Sequence, residues 1–254
     1  MKLCRGFYIP FMLLLLWSLG SMTGSINQYI LPSPAHIAVT ATQLAQSGVL
    51  LKHLSISMYR VILGFLVTFI LAFPLAVLLG MQRNLKDYFD PLLAFIRHIP
   101  PIACIPMLIL WFGIGEPPKI AIIILATFFP IFLNTLHGVL GCDEKLLEVG
   151  RVFGFNPRQQ FYRIILPSAL PSVIMGMRLG FGYSWRALIG AELIAASSGI
   201  GYMIIDAEQI SRPDIIIVGI ITIGVCGYII DYVFLQLTRW FMPWEDGSVD
   251  YGGS

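Results

Sequence analysis

The sequence predicts an all-α polytopic membrane protein with six transmembrane helices. Three observations support this fold class. The chain of 254 residues is 57% hydrophobic and only 12% charged, whereas soluble domains are nearer half apolar and a quarter charged. Its mean hydropathy is +0.82. Its apolar residues also form long runs of about 20 residues, the length that crosses a bilayer as a helix. The net charge of +2 is too small to indicate a nucleic-acid partner.

The apolar runs make residues 1–254 one predicted transmembrane domain. They lie at residues 7–24, 57–80, 95–114, 119–140, 168–195 and 213–236. The first run is either a retained span or a cleaved signal peptide, because Lys2 and Arg5 precede it and small residues follow it. Its length favours a retained span. In the third run, Pro100, Pro101 and Pro106 predict a break near the start.

The lysines and arginines near the span ends predict the orientation, because cytoplasmic loops are enriched in them. With the N-terminus inside, the cytoplasmic side collects Lys2, Arg5, Arg83, Lys86, Arg97, Lys145, Arg151, Arg158, Arg163 and Arg239. The outer side collects only Lys52, Arg60, Lys119 and Arg212. This bias places both termini in the cytoplasm.

Two polar segments lie outside the predicted spans. Residues 25–56 form an outer segment, in which Pro32 and Pro34 predict an extended start and residues 35–56 a surface helix. Residues 243–254 are predicted to be a disordered tail. The cysteines show no spacing that indicates a disulfide framework or a zinc site. The GxxxxGK[ST], HExxH and GxSxG motifs are absent, so the sequence offers neither a phosphate loop for ATP nor a catalytic constellation.

A polar stretch at residues 141–167 interrupts the apolar chain between the fourth and fifth spans. The spacing of apolar residues in "DEKLLEVGRVFG" predicts a short amphipathic helix. Gly154 is a natural stop for that helix. Asn156 and Pro157 then predict a second short helix, because proline is tolerated in a first turn. Pro167 marks the expected start of the fifth span, so the stretch predicts a cytoplasmic helix–turn–helix elbow.

The residue spacing within this elbow resembles the EAA motif of ABC-importer permeases. The matching positions are Glu148, Val149, Gly150, Gly154, Ile164, Leu166 and Pro167. Where the family has two alanines, this chain has valine and glycine, which are also small. Further stretches resemble the nitrate/sulfonate/taurine branch of that family. They are "ILPSP" at 30–34, "IPPIACIPMLILWFGIGE" at 99–116, "FPIFLNTLHGV" at 129–139 and "GAELIAASSGIGYMI" at 190–204.

The resemblance implies a type I ABC importer permease in a bacterial inner membrane. Two copies of the chain would form the pathway, two ATP-binding subunits would lie below it, and an external binding protein would deliver the substrate. Residues 141–167 would be the coupling elbow that docks on the ATPase. The chain itself would be no enzyme and would bind no cofactor, since ATP and magnesium belong to the ATPase subunits.

The fifth span carries the candidate pathway residues. Arg178, Arg186 and Glu192 are ionisable residues at membrane depth, where such groups usually face a cavity or a partner. The resemblance places Ser197, Ser198, Gly199 and Gly201 near the outer gate. Arg186 lacks an acid within one helical turn, which predicts that it attracts an anion. Gly176 and Gly180 form a GxxxG pair that suits either close contacts within one chain or a dimer seam.

The predicted substrate is a small anion of the sulfonate, taurine or nitrate type. The same machinery could also carry a vitamin or a vitamin precursor. A secondary transporter is the main rival class, but such folds often show broken helices in two related halves. This sequence has one elbow and no second copy of it. Uptake that requires a separate ATPase would distinguish the two classes.

Overall fold

The computed structural model describes the backbone of residues 2–241 and the side chains of residues 8–239 except Arg83 and Ala195. The predicted disordered tail at 243–254 lies outside the described residues. All regular elements in the described part are helical. The α-helices are α1 (Lys2–Met22), α2 (Pro34–Gln46), α3 (Val49–Met81), α4 (Arg83–Arg97), α5 (Ile105–Phe112), α6 (Glu116–Leu140), α7 (Glu144–Val152), α8 (Pro157–Gln160), α9 (Leu166–Ala195), α10 (Ile200–Gln209) and α11 (Pro213–Phe241). A 3₁₀ turn, Pro101–Cys104, precedes α5, and a π turn, Phe161–Ile165, joins α8 to α9.

Four of the described helical stretches are long and apolar enough to cross a membrane. They are Val49–Met81, Glu116–Leu140, Pro157–Ile194 and Pro213–Arg239. The bent pair Asn84–Arg97 and Pro101–Phe112 qualifies as a fifth span if it is counted as one. Helix α1 contains a shorter apolar segment, Tyr8–Met22. The multi-pass helical architecture is therefore as predicted, while the count of six spans stays a prediction.

The break in the third predicted span is confirmed, and it follows from consecutive prolines. Pro100 is extended, with φ −63° and ψ 125°, because the residue before a proline is pushed out of the helical region. Helix α4 therefore ends at Arg97, and the chain bends by 82° before Pro101–Phe112.

The outer segment differs from its prediction. Residues 35–56 do not form one surface helix, because α2 ends at Gln46 and α3 begins at Val49. Between them Gly48 has a φ of +77°, a left-handed conformation that ends a helix and suits glycine. Residues 49–56 are therefore the first turns of the long spanning helix. The predicted extended start is confirmed, since Ser33 is extended and caps α2 by accepting from the His36 N–H.

The chain divides into two compact units. Among the described residues, one comprises 2–58 together with Glu192–Cys226, and the other comprises Tyr59–Ala191 and 227–241. In the second unit, α3 and α6 bury a common core. Its fully or nearly fully buried residues are Phe65, Ala72, Ala76, Leu79, Ile131, Phe132 and Leu136.

The GxxxG pair of the fifth span brings α9 against α6 within the same chain. A Cβ added at Gly176 would lie 2.8 Å from the Asn134 Cβ, and one at Gly180 would lie 2.9 Å from Ile131 Cγ1. Gly138 makes the reciprocal approach from α6, 2.7 Å from the Ser172 Cβ by the same measure. Of the two roles that the sequence left open for this pair, the structure therefore shows contact within one chain.

Candidate functional site

The elbow between the fourth and fifth spans begins with α7. Asp143 caps its N-terminus, because the carboxylate accepts a hydrogen bond from the Lys145 N–H at 2.9 Å. The helix ends in a pair of capping bonds typical of the Schellman motif. The Phe155 N–H donates to the Gly150 carbonyl at 2.9 Å, and the Gly154 N–H donates to the Arg151 carbonyl at 2.9 Å. Gly154 has a φ of +75°, so the predicted helix stop at this glycine is confirmed.

The second short helix begins where Asn156 and Pro157 predict it. The Asn156 side chain accepts from the Gln159 N–H, and the Gln159 side chain accepts from the Asn156 N–H, both at 2.9 Å. This capping box satisfies two backbone donors that a helix start would otherwise leave unpaired. Pro157 lies in the first turn, where its missing N–H costs no helical hydrogen bond.

Helix α9 begins at Leu166, next to the Pro167 that marks the predicted entry to the fifth span, but it is not separated from the elbow. Helix α8, the π turn Phe161–Ile165 and α9 run on without a break, and Pro157–Ile194 forms one continuous helical stretch. The Leu166 N–H donates to the Phe161 carbonyl, five residues back, in the π turn just before the proline. Local π widening is one of the ways in which a helix accommodates a proline, so Pro167 lies inside the helix.

The motif residues of the elbow fall into a closely packed pair, Gly150 and the half-buried Ile164, and an exposed face. Gly150 is buried against Ile164, and a Cβ added at Gly150 would lie 2.6 Å from the Ile164 Cδ1. Glu148, Val149 and Pro167 are exposed, and Leu166 is half-buried. The exposed part of α7 is apolar as well as charged.

Three neighbouring apolar side chains of the elbow are exposed. Val149, Val152 and Phe153 are 51%, 87% and 74% exposed. Glu148 and Arg151 line a cavity of about 930 Å³ beside α7. An exposed apolar patch edged by charged groups is typical of an interaction surface.

Arg178 and Asp231 form a two-point ion pair between α9 and α11. The Arg178 Nε–Asp231 Oδ1 distance is 2.6 Å, and the Nη2–Oδ2 distance is 2.7 Å. Such bidentate pairing fixes orientation as well as charge. The sequence singled out Arg178 but did not identify this carboxylate as its partner.

Arg186 lies two turns further along α9, and its side chain is exposed. It forms no ion pair with any acid in the part of the chain that the structure describes. Together with Arg178 and Asp231 it lines a cavity of about 310 Å³. The structure thus brings two of the three predicted ionisable residues together in one cavity.

Glu192 lies elsewhere, buried in the first unit with 1% exposure. Both of its oxygens accept from the Ser57 hydroxyl at 2.9 Å, and Oε2 also accepts from the Gly201 N–H at 3.0 Å. The Ile200 N–H donates to the Ser57 Oγ at 2.9 Å. Glu192 and Ser57 therefore cap the N-terminus of α10, where the backbone N–H groups favour negative charge.

Three of the four predicted gate residues, Ser197, Ser198 and Gly199, lie in the turn before α10. Gly199 is buried with a φ of +114°, and its N–H donates to the His53 Nδ1 at 3.0 Å. Gly201 is buried in the first turn of α10, Ser198 is half-buried and Ser197 is exposed. This turn and Glu192 form one hydrogen-bonded cluster, and Arg178 and Arg186 belong to the other unit.

The structure contains two clusters of charged residues that the sequence analysis did not predict. Glu116 accepts from the Arg60 Nε and Nη2, both at 2.6 Å, and from the Lys119 Nζ at 3.1 Å. Arg60 and Lys119 are buried, although their place near span ends suggested ordinary outer charges. The spacing of Glu116 and Lys119, three residues apart on a helix, was the available signal.

Asp214 anchors the second cluster, at the start of α11. It accepts from the Thr40 hydroxyl at 2.8 Å and from the Arg212 Nη2 at 2.7 Å. The hydrogen bond to the Asp214 carboxylate raises the pKa of Arg212 above its ordinary value. No sequence pattern links Thr40 to Asp214, since they are far apart along the chain.

Comparison with known proteins agrees with this architecture. SsuC of Bacillus subtilis (strain 168), a permease protein named for aliphatic sulfonates transport, is 40% identical over 242 residues, which are 95% of this chain and 88% of SsuC. The taurine transport system permease protein TauC of Escherichia coli (strain K12) is 30% identical over 238 residues, covering 92% of this chain and 86% of TauC.

A solved structure shares the fold. It is a chain of the MetNI methionine ABC transporter in an inward-facing conformation, with a TM-score of 0.65 and 18% sequence identity. The match covers 73% of this chain and 92% of the solved chain. The model of one family of transport permeases matches residues 64–244. The chain therefore belongs to the family of binding-protein-dependent transport system inner membrane components.

Proposed function

We propose that two copies of this chain form the substrate pathway of an ATP-driven importer for a small sulfonate-type anion. Two ATP-binding subunits would dock on the cytoplasmic side, and an external binding protein would deliver the substrate. ATP and magnesium would be bound by the ATPase subunits. Both termini of the chain would lie in the cytoplasm, on the same side as the elbow.

The elbow is the observation that supports this proposal most strongly. Two short capped helices present Val149, Val152 and Phe153 at the surface, and α8 continues into a spanning helix without a break. A docked subunit that moves α7 would therefore act directly on a helix within the membrane. Glu148, Val149, Gly150, Gly154, Ile164, Leu166 and Pro167 are the residues that we assign to this coupling.

The substrate class rests on two further supports. SsuC is named for aliphatic sulfonates and TauC for taurine, and taurine is itself a sulfonate. The exposed Arg186 offers a guanidinium group to an oxyanion, for which its planar fork is well suited. Arg178 lines the same cavity. For Glu192, Ser197, Ser198, Gly199 and Gly201 we propose an indirect role, in which they hold the turn before α10.

Uptake by reconstituted vesicles tests the proposal. The chain is combined with an ATPase and a binding protein from the same system, and methanesulfonate and taurine uptake is measured with and without ATP. We expect uptake only with ATP and both partners. Uptake driven by an ion gradient without ATPase would indicate a secondary transporter instead. Uptake of a vitamin but of no sulfonate would favour the alternative substrate class.

The coupling residues are tested separately by co-purification with the ATPase. Glu148→Ala should weaken the complex by about 1–3 kcal/mol if it removes a charge-assisted hydrogen bond. Glu208→Ala is the matched control, because Glu208 is also an exposed acid, but on α10 rather than in the elbow. Wild-type co-purification and uptake by Glu148→Ala would exclude an important contact at this carboxylate.

A further inference from the structure

Leu179 and Tyr183 lie between two cavities of different character in the second unit. Both residues, one helical turn apart on α9, line each of the two cavities. The smaller cavity, of about 310 Å³, also contains Arg178, Arg186 and Asp231. Because Arg178 and Asp231 pair with each other, their formal charges cancel and the charge of Arg186 remains.

The larger cavity has a volume of about 590 Å³ and is mostly apolar, with Arg97 as the one charged residue among those that line it. Met107 and Trp111 of α5 and Phe129 of α6 line it. Leu179 and Arg186 are seven residues apart, about 10 Å along a helix at 1.5 Å per residue. Tyr183, which also lines both cavities, is three residues from Arg186, about 4.5 Å along the helix by the same measure. The apolar groove therefore begins within reach of a short alkyl chain whose head group contacts Arg186.

The space beside Arg186 is open. A Cβ added at Gly182, one turn before Arg186, would have no neighbouring atom within 4 Å. At Gly176 and Gly180, in contrast, the space that a Cβ would take is already occupied by atoms of α6. Gly182 therefore does not serve close helix contact within this chain, and its missing side chain leaves room at the guanidinium.

We propose that the two cavities form one binding site for an amphiphilic anion, an alkanesulfonate. The sulfonate oxygens accept hydrogen bonds from Arg186, and the alkyl chain passes over Leu179 and Tyr183 into the apolar groove. This inference rests on the proposed function and specifies its substrate class. Nitrate and bicarbonate have no chain to occupy the groove, so the site favours sulfonates with a hydrocarbon tail.

The charges in the smaller cavity favour a monoanion. A guanidinium fork can donate two parallel hydrogen bonds to two oxygens of one oxyanion. The nearby Asp231 carboxylate repels a second negative charge, although Arg178 offsets most of this effect. A sulfonate carries a single charge shared by three oxygens, which fits this arrangement better than a dianion does.

The charged end of the site is tested with Arg186→Gln in vesicles that contain the full complex. We expect uptake of methanesulfonate and of hexanesulfonate to fall by about tenfold or more, because a charge-assisted hydrogen bond to the head group is lost. Gly182→Leu, which fills the same space without touching a charge, should also lower both. Arg97→Gln serves as a comparison, since Arg97 is a cation that lines the larger cavity but not the smaller one.

The apolar end is tested with Met107→Gln. We expect hexanesulfonate uptake to fall by about four- to tenfold, since each buried methylene contributes a factor of roughly four, while methanesulfonate uptake changes less than twofold. Met12→Gln is the matched control, because Met12 is a similarly exposed methionine on α1. Each variant is compared with the wild type using the same binding protein, so the selection made by that protein cancels.

The possible outcomes distinguish failure of the two-part site from failure of the proposed function. If the wild-type complex takes up no sulfonate, the proposed function fails and the site fails with it. If sulfonates are taken up but Met107→Gln affects both chain lengths equally, only the two-part site is excluded. If Arg97→Gln lowers uptake more than Arg186→Gln, the head group binds at Arg97 in the larger cavity, and the proposed orientation of the substrate is excluded. If Arg186→Gln changes only the anionic phospholipid retained in native mass spectrometry, the cavities are a lipid site.

Discussion

Ile164 lies directly against Gly150, so that a Cβ added at Gly150 would be 2.6 Å from the Ile164 Cδ1. The two residues belong to different short helices of the elbow, α7 and the π turn after α8. Their contact fixes the angle between these segments. An alanine at position 150 would bring its Cβ into this contact. The close approach therefore accounts for the glycine at the position where the EAA motif has its second alanine.

We predict energetic coupling between these two positions. The cost of Gly150→Ala should be smaller by about 0.5 kcal/mol or more in an Ile164→Val background, because valine lacks the Cδ1 atom that the new Cβ would meet. Thermal unfolding of the four purified proteins in detergent measures the coupling energy. Equal costs in both backgrounds would show that the contact does not constrain the elbow.

Gly154→Leu should uncouple transport from ATP hydrolysis. The backbone conformation, with a φ of +75°, costs a leucine about 1 kcal/mol or more. No atom lies within 4 Å of an added Cβ, so the effect comes from the backbone alone. Gly154→Asn is the control, because asparagine tolerates this conformation.

The measurement for Gly154 is ATPase activity with and without binding protein, together with uptake. We expect Gly154→Leu to lose uptake while Gly154→Asn retains most of it. Normal stimulation and uptake in Gly154→Leu would mean that the left-handed turn does not set the docking geometry.

Gly199→Ala should destabilise the turn before α10. An added Cβ would lie 2.3 Å from the Glu192 carboxyl group, and the φ of +114° is itself unfavourable for alanine. We expect a loss of about 1–3 kcal/mol in stability, seen as a lower midpoint of thermal unfolding. Gly224→Ala is the control, since nothing lies within 4 Å of its added Cβ. A midpoint equal to that of the control would contradict the prediction.

The stability of the protein should fall by different amounts when Glu116 and Lys119 are replaced. Glu116→Gln leaves the buried cations Arg60 and Lys119 without this carboxylate, and we expect a loss of about 1–3 kcal/mol, because the Glu116 side chain is 52% exposed and water screens part of its charge. Lys119→Met should be milder, because the Arg60–Glu116 pair at 2.6 Å remains. The yield of folded protein and its unfolding midpoint measure both variants. Equal losses would show that Glu116 does not neutralise both cations.

The class of this protein and the helices of its elbow follow from the sequence alone. Runs of apolar residues long enough for a bilayer dictate spanning helices, because the backbone must satisfy its own hydrogen bonds in lipid. Gly154, Asn156 and Pro157 determine the turn between the elbow helices by local conformation, which needs no distant contact. These features were predictable because their causes lie within a few residues of chain.

Only the tertiary structure decided which charges pair and which stay exposed. Arg178 meets Asp231, and Glu192 meets Ser57, across separations of 53 and 135 residues. No local pattern encodes such contacts, since they depend on which helix faces are brought together. The same holds for Gly180 and Gly182, because the first lies against Ile131 and the second borders open space. A sequence of small residues specifies that helices can approach closely, whereas the folded chain determines where they do.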